Sequence, residues 1–170
     1  MQYTCTNCGK IHDEWPAIGF DAPDNYGELS ESDRQICVKE LSDDFCVIEY
    51  ENQTDLFIRC VLFQEVKDYC EELQYGVWVS LSEKSFEDYN DNFLSEEQNA
   101  TYFGYLCTLP PEYEYTRPIK TNVITRSGRN RPEIVPHKDQ MDIPFVRDYY
   151  EGISKDEAER RINRVMGKKL

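Results

Sequence analysis

Leu56-Phe-Ile-Arg-Cys-Val-Leu-Phe-Gln-Glu-Val66, followed by Leu73-Gln-Tyr-Gly-Val-Trp-Val-Ser-Leu81, decides the fold. In the first run Leu56, Ile58, Cys60, Leu62 and Val66 point one way, and Phe57, Val61 and Phe63 point the other. Side chains alternate across a strand, so a strand apolar on both sides belongs in the middle of a sheet covered on both faces. The second run alternates more cleanly, with Tyr75, Val77, Val79 and Leu81 opposite Trp78 and Ser80. Two adjacent strands of this kind make a sheet the centre of the protein.

Working outward, Cys46 to Tyr50 reads as a strand that reaches the first run through the turn Asn52-Gln-Thr-Asp55. Tyr102 to Thr108 and Ile119 to Arg126 read as further strands, separated by Pro110-Pro111, and Ser127-Gly-Arg-Asn130 makes a hairpin turn into Pro132 to Pro136. Three serines open helices. Ser30 begins one running to about Leu41 with Ile36, Cys37 and Leu41 on one face; Ser82 begins one through Phe93; Ser154 begins a C-terminal helix over 154–166. Ser95-Glu-Glu-Gln98 adds a capping box for one more short turn. The expected architecture is one α+β domain over 1–170, a mostly antiparallel sheet with flanking helices. Residues 1–28, broken by Pro16, Gly19, Pro23 and Gly27, show almost no periodicity and require another source of order.

Cys5-Thr-Asn-Cys8-Gly9-Lys-Ile-His12 offers that source. Two cysteines separated by two residues place both thiolates on one metal, and glycine after the second permits the positive φ that such a knuckle needs. Sulfur ligands select zinc, and His12 is near enough in sequence to supply a third corner. The fourth could come from Cys37, Cys46 or His137. Cys37 falls on the apolar face of a helix, whereas Cys46 stands at a strand end, where a side chain can turn toward a neighbouring loop, so Cys46 is preferred. Four protein ligands leave no open position, which makes the zinc structural.

The string Cys5-x-x-Cys8-Gly9-x-x-His12-x-x-x-Pro16, with Pro23, Asp44-x-Cys46-Val47-Ile48, Phe57-Ile58-Arg59, Gly76-Val77-Trp78-Val79-Ser80-Leu81-Ser82, Tyr102-Phe103-Gly104, Arg131-Pro132 and Gly152-Ile153, resembles an uncharacterised bacterial family, domain of unknown function 2199. The resemblance runs from Cys5 to about Ile153. The family pattern carries a cysteine where Cys46 stands, which implies a ligand role there. Ile143 stands before Pro144 where relatives commonly have His, so the resemblance implies no catalytic histidine in that segment. It implies no reaction either.

The 170 residues carry 33 acids against 19 bases, a net charge of −14. The charge is uneven: residues 1–116 hold 25 acids and 6 bases, a net of −19, and residues 117–170 hold 8 and 13, a net of +5. An acidic surface repels nucleic acid and anionic membranes. Neither a leader peptide nor an apolar run of membrane-spanning length is visible. With seven cysteines, an odd number, the chain is expected to be cytoplasmic and its thiols unpaired by disulfides.

Catalytic motifs are missing. Ser80 and Ser82 lack the Gly-x-Ser-x-Gly context of a nucleophile elbow, and only two histidines are present to serve as base. Trp78 and Ser80 share a strand face beside Gly76 and, with His137, are candidates for lining a pocket. Arg117, Lys120, Arg126, Arg129 and Arg131 form an acid-free block that two strands would present as a cationic ribbon, with Tyr113 and Tyr115 upstream for stacking. The expected function is a zinc-stabilised, non-enzymatic module that binds a protein with a basic surface, as an immunity or antitoxin-type inhibitor does. The alternatives are a hydrolase with zinc at the N-terminal knuckle and a nucleic-acid adaptor using the ribbon.

Overall fold

The computed structural model describes residues 2–4, 9 and 11–165. A hairpin of β1 (Gln2–Thr4) and β2 (Ile11–Asp13) comes first, then β3 (Ile18–Gly19), α1 (Asp24–Gly27) and α2 (Glu31–Cys37). The body consists of β4 (Val38–Leu41), β5 (Phe45–Glu49), β6 (Thr54–Gln64), β7 (Leu73–Leu81), α3 (Glu83–Asp91), β8 (Thr101–Leu106), β9 (Lys120–Arg126) and β10 (Asn130–Pro136). A 3-10 turn (Lys138–Gln140), α4 (Pro144–Glu151) and α5 (Lys155–Val165) finish it. The expected α+β class with a mostly antiparallel sheet is correct.

The sheet closes on itself. Strands β6, β7, β8, β9 and β10 pair in that order, and β10 returns to β6 in parallel at Glu133 and Val61, making a five-stranded barrel. Strands β6 and β7 are long enough to serve two partners along one edge. On β6, residues 54–58 pair with β5 and Val61 with β10; on β7, Tyr75 and Gly76 pair with β3 and residues 79–81 with β8. Closure is tight at Gly104: a Cβ there would meet the Val79 side chain and lie 2.7 Å from the Ser80 carbonyl. Only glycine lets β8 approach β7 that closely.

Ile58, Cys60, Leu62, Tyr75, Val77, Val79, Leu106, Val123 and Ile134 fill the barrel. At one end α3 seals it with aromatics, Phe45 standing 4.9 Å from Phe93 and 5.7 Å from Phe86 between ring centroids. At the other end α4 and α5 insert Phe145, Val146, Ala158 and Ile162. Arg161 enters with them at 3% exposure, donating to Glu157 (2.7 Å), Tyr75 (3.0 Å) and Tyr113 (2.8 Å). Tyr113 in turn donates to Asp148 at 2.8 Å. A buried guanidinium is tolerated because each of its nitrogens has a partner.

The outer face of β5, β6 and β7 carries a second cluster, Cys46, Ile48, Phe57 and Trp78, under Phe20, Tyr26, Leu29 and Cys37. Residues 20–38 therefore cover one side of the barrel, burying Phe57 on the outer face of β6, while Val61 and Phe63 on that face are half-buried. Two expectations need correction. The helix from Ser30 ends at Cys37, because Val38–Leu41 is captured as an edge strand on β5, which leaves Ile36 and Leu41 exposed. The short turn expected after Ser95 is present at residues 96–97. Residues 1–28 are less irregular than their composition suggests, holding β1, β2, β3 and α1.

Candidate functional site

Strands β8 and β9 have one bare face. Alternation sends Gly104, Leu106, Thr121 and Val123 into the barrel and leaves Phe103, Tyr105, Asn122 and Ile124 outside, where no helix among the described residues covers them. Phe103 is 47% exposed, Tyr105 42% and Ile124 39%. The two rings meet edge to face at 5.1 Å, and Phe103 makes a second edge contact with His137 at 5.6 Å. His137 is held by Asn122, with 3.0 Å between Nε2 and Oδ1. Phe103, Tyr105 and Ile124 are open to solvent together, the pattern of a recognition surface more than of scattered exposure.

A groove of 670 Å³ continues this face, with Tyr105, Leu106, Cys107 and Tyr115 among its walls and Asp24 and Glu28 on its lip. Its shape is fixed by backbone contacts. The Asp24 N–H donates to the Cys107 carbonyl (2.8 Å), the Asp24 carboxylate accepts from the Leu109 N–H (3.1 Å), and the Tyr115 hydroxyl donates to the Leu106 carbonyl (3.3 Å). Arg117 also lines the groove but is paired with Asp142, so the apolar walls with Asp24 and Glu28 suit a ligand that presents carbon chains ending in positive charge.

The cationic ribbon is not a ribbon in space. Arg117 pairs with Asp142 at 2.7 Å, Lys120 with Asp139, Arg129 with Glu96 at 3.7 Å and Arg131 with Asp44 at 2.7 Å. Arg126 lies over the Phe63 ring, 5.4 Å from its centroid. All five cations are engaged within the chain, and two of them bind carboxylates of the acidic segment 1–116.

Trp78, Ser80 and His137 do not converge. Trp78 is 0% exposed in the second cluster, its indole N–H donating to the Phe20 carbonyl at 2.9 Å. Ser80, Tyr105, Lys120 and His137 succeed one another across four strands. At about 4.8 Å per strand, Ser80 and His137 stand about 14 Å apart along the sheet.

Cys5 and Cys8, the core of the expected metal knuckle, lie outside the described residues, as does the side chain of His12. Gly9 is described, and its φ is +69°. Cys46 packs against Ile48, Phe57 and Trp78 at 0% exposure, and burial, followed by Glu40 and Asp55, pushes its thiol up to about 12. Cys37 lies at the edge of the same cluster. Among the described residues no three His, Cys, Asp or Glu side chains are grouped to hold a metal.

Sequence reasoning missed the β8–β9 face, although the run Tyr102-Phe-Gly-Tyr-Leu106 carries the signal. Its aromatics fall on both faces of the strand, which predicts cover on both sides, and the cover is missing outside. The fold and site together define an α+β domain built on a small closed barrel, with one aromatic face left open beside an acidic groove. No helix among the described residues is long and apolar enough to cross a membrane. The chain belongs to the family described as an uncharacterised protein conserved in bacteria (DUF2199), matched over residues 4–153, as its motifs indicate. No curated protein and no solved structure matches it.

Proposed function

We propose that this protein is a non-enzymatic binding module whose β8–β9 face and adjoining groove receive a protein with a basic surface, in the manner of an immunity or antitoxin-type inhibitor. The observation that carries this reading is the set of exposed rings at Phe103 and Tyr105 next to the acidic lip of Asp24 and Glu28. Aromatic anchors supply affinity, and opposite charge supplies encounter rate. The net charge of −14, with the ribbon cations already paired internally, supports a basic partner over a polyanion. A structural zinc at Cys5, Cys8 and His12, with one further protein donor, anchors the N-terminal hairpin; the positive φ of Gly9 is what a knuckle there needs.

The test is retention of partners from the native host by wild type and by the Phe103→Ala/Tyr105→Ala variant. The expected result is a basic protein kept at low salt, weakened at high salt and lost in the variant. The same proteins retained by wild type and variant, or none by either, would overturn the proposal.

A further inference from the structure

We propose that the end of the barrel beside α5 holds a binding site for a small monocarboxylate whose apolar body is about the size of benzene. A cavity of 180 Å³ lies there, walled by Ile18, Phe20, Tyr75, Pro110, Pro111 and Val165. Apolar cavities of about 150 Å³ admit benzene, so a single ring fits. The local sequence builds these walls. Strand β3 joins β7 in parallel, Ile18 beside Tyr75, and the Phe20 N–H donates to the Gly76 carbonyl at 3.1 Å, which brings residues 18–20 against Tyr75. Pro110 and Pro111 carry no N–H, so the chain after β8 presents carbon to the cavity. Arg161, Arg164 and Val165 stand at i, i+3 and i+4 of α5 and share one face, and all three line the cavity. No wall residue is shared with the groove beside Tyr105, so this site is independent of the partner-binding reading.

The polar part of the wall holds more donors than the chain uses. A guanidinium carries five N–H groups, and buried Arg161 spends three: Nε on Glu157, one of Nη1 on Tyr75 and one of Nη2 on Tyr113. The remaining two have no acceptor among the described residues. The hydroxyl proton of buried Tyr75 has none either, since that oxygen accepts from Arg161, whereas Tyr113 passes its own proton to Asp148 at 2.8 Å. Arg164, at the exposed rim, gives one N–H to Glu112 at 3.0 Å, and Glu112 also faces Arg160 at 3.9 Å. The one carboxylate in the wall is therefore already engaged. Buried donors call for acceptors, and a carboxylate brings two oxygens with about four lone-pair sites and the opposite charge to Arg161. Benzoate satisfies both halves of the cavity, its ring against Ile18 and the prolines and its oxygens on Tyr75 and Arg161.

The experiment titrates the full chain with benzoate at millimolar concentration, followed by calorimetry and saturation-transfer NMR. Benzoate should bind one to one and raise the melting temperature, because a ligand of the folded state stabilises it. Benzamide has the same shape without the charge and should bind at least about 10-fold more weakly, since charge-assisted hydrogen bonds are about twice as strong as neutral ones. Tyr75→Phe keeps the ring and removes a donor; it should weaken benzoate at least about 10-fold, the effect of losing one hydrogen bond to a charged group. Val165→Trp, at an exposed position on the rim, should fill the mouth and abolish binding while the ligand-free protein melts as wild type does. No saturable binding of benzoate, equal binding of benzamide, or the same benzoate affinity in wild type and both variants would overturn the proposal.

Discussion

Replacing Arg161 with alanine tests how the barrel is plugged. The side chain is 4% exposed and donates to Glu157, Tyr75 and Tyr113, so truncation takes a charged donor from two tyrosine hydroxyls and leaves Glu157 with Arg160 alone. Hydrogen bonds to charged groups contribute about 1.5–3 kcal/mol each, but the three are not additive, and removing one partner of a buried ion pair costs about 3–5 kcal/mol. Glu157 is partly open to water at 28%, which places the expected loss toward the lower part of that range. Urea denaturation with a slope of about 2 kcal/mol/M turns 3–4 kcal/mol into a fall in midpoint of about 1.5–2 M. The neighbour Arg160 also binds Glu157, at 2.8 Å, but is 43% exposed, and Arg160→Ala should cost no more than about 1 kcal/mol. Equal and small losses in the two variants would refute the claim that Arg161 is the cationic plug of this end of the barrel.

Three further outcomes follow from the same geometry. Gly104→Ala should destabilise by about 1–3 kcal/mol in the same assay, because the added methyl forces β8 away from the Ser80 carbonyl; a loss within about 0.5 kcal/mol would deny the tight closure. The carboxyl of Glu157 is held down at about 2, first by the hydrogen bond from Arg160 and then by Arg161, against the opposing effect of desolvation. A carboxyl with a depressed folded value stabilises above its unfolded value of 4.5 and loses that contribution as pH falls toward about 2, so Arg160→Ala should flatten acid destabilisation between those limits. The Phe103→Ala/Tyr105→Ala variant removes exposed rings rather than core, and thermal melting should move by only a few degrees while partner binding is lost.

The strands were legible because their cause is local. Leu73–Leu81 is the strand its alternation describes, and the caps at Ser30, Ser82 and Ser154 accept the backbone N–H groups of Asp33, Ser85 and Glu157. The hairpin at Ser127–Asn130 follows from Gly128 and Arg129, both at positive φ. Closure was not legible, since β10 meets β6 with three strands between them in the chain and an open sheet has the same alternation as a barrel. Helix α4 was overlooked although Pro144 at its first turn and Phe145, Val146 and Tyr149 at helical spacing announce it. Which carboxylates meet the ribbon cations, Asp44 and Glu96 among them, is decided only by the fold.

The central claim is that the bare face of β8 and β9 receives a partner. A photo-crosslinking amino acid at position 105, in the middle of that face, compared with one at position 84 on the exposed side of α3, tests it most directly in the native host. The account predicts a discrete crosslink to a basic protein from position 105 and none from position 84. The same crosslinked products from both positions, or none from position 105, would contradict it.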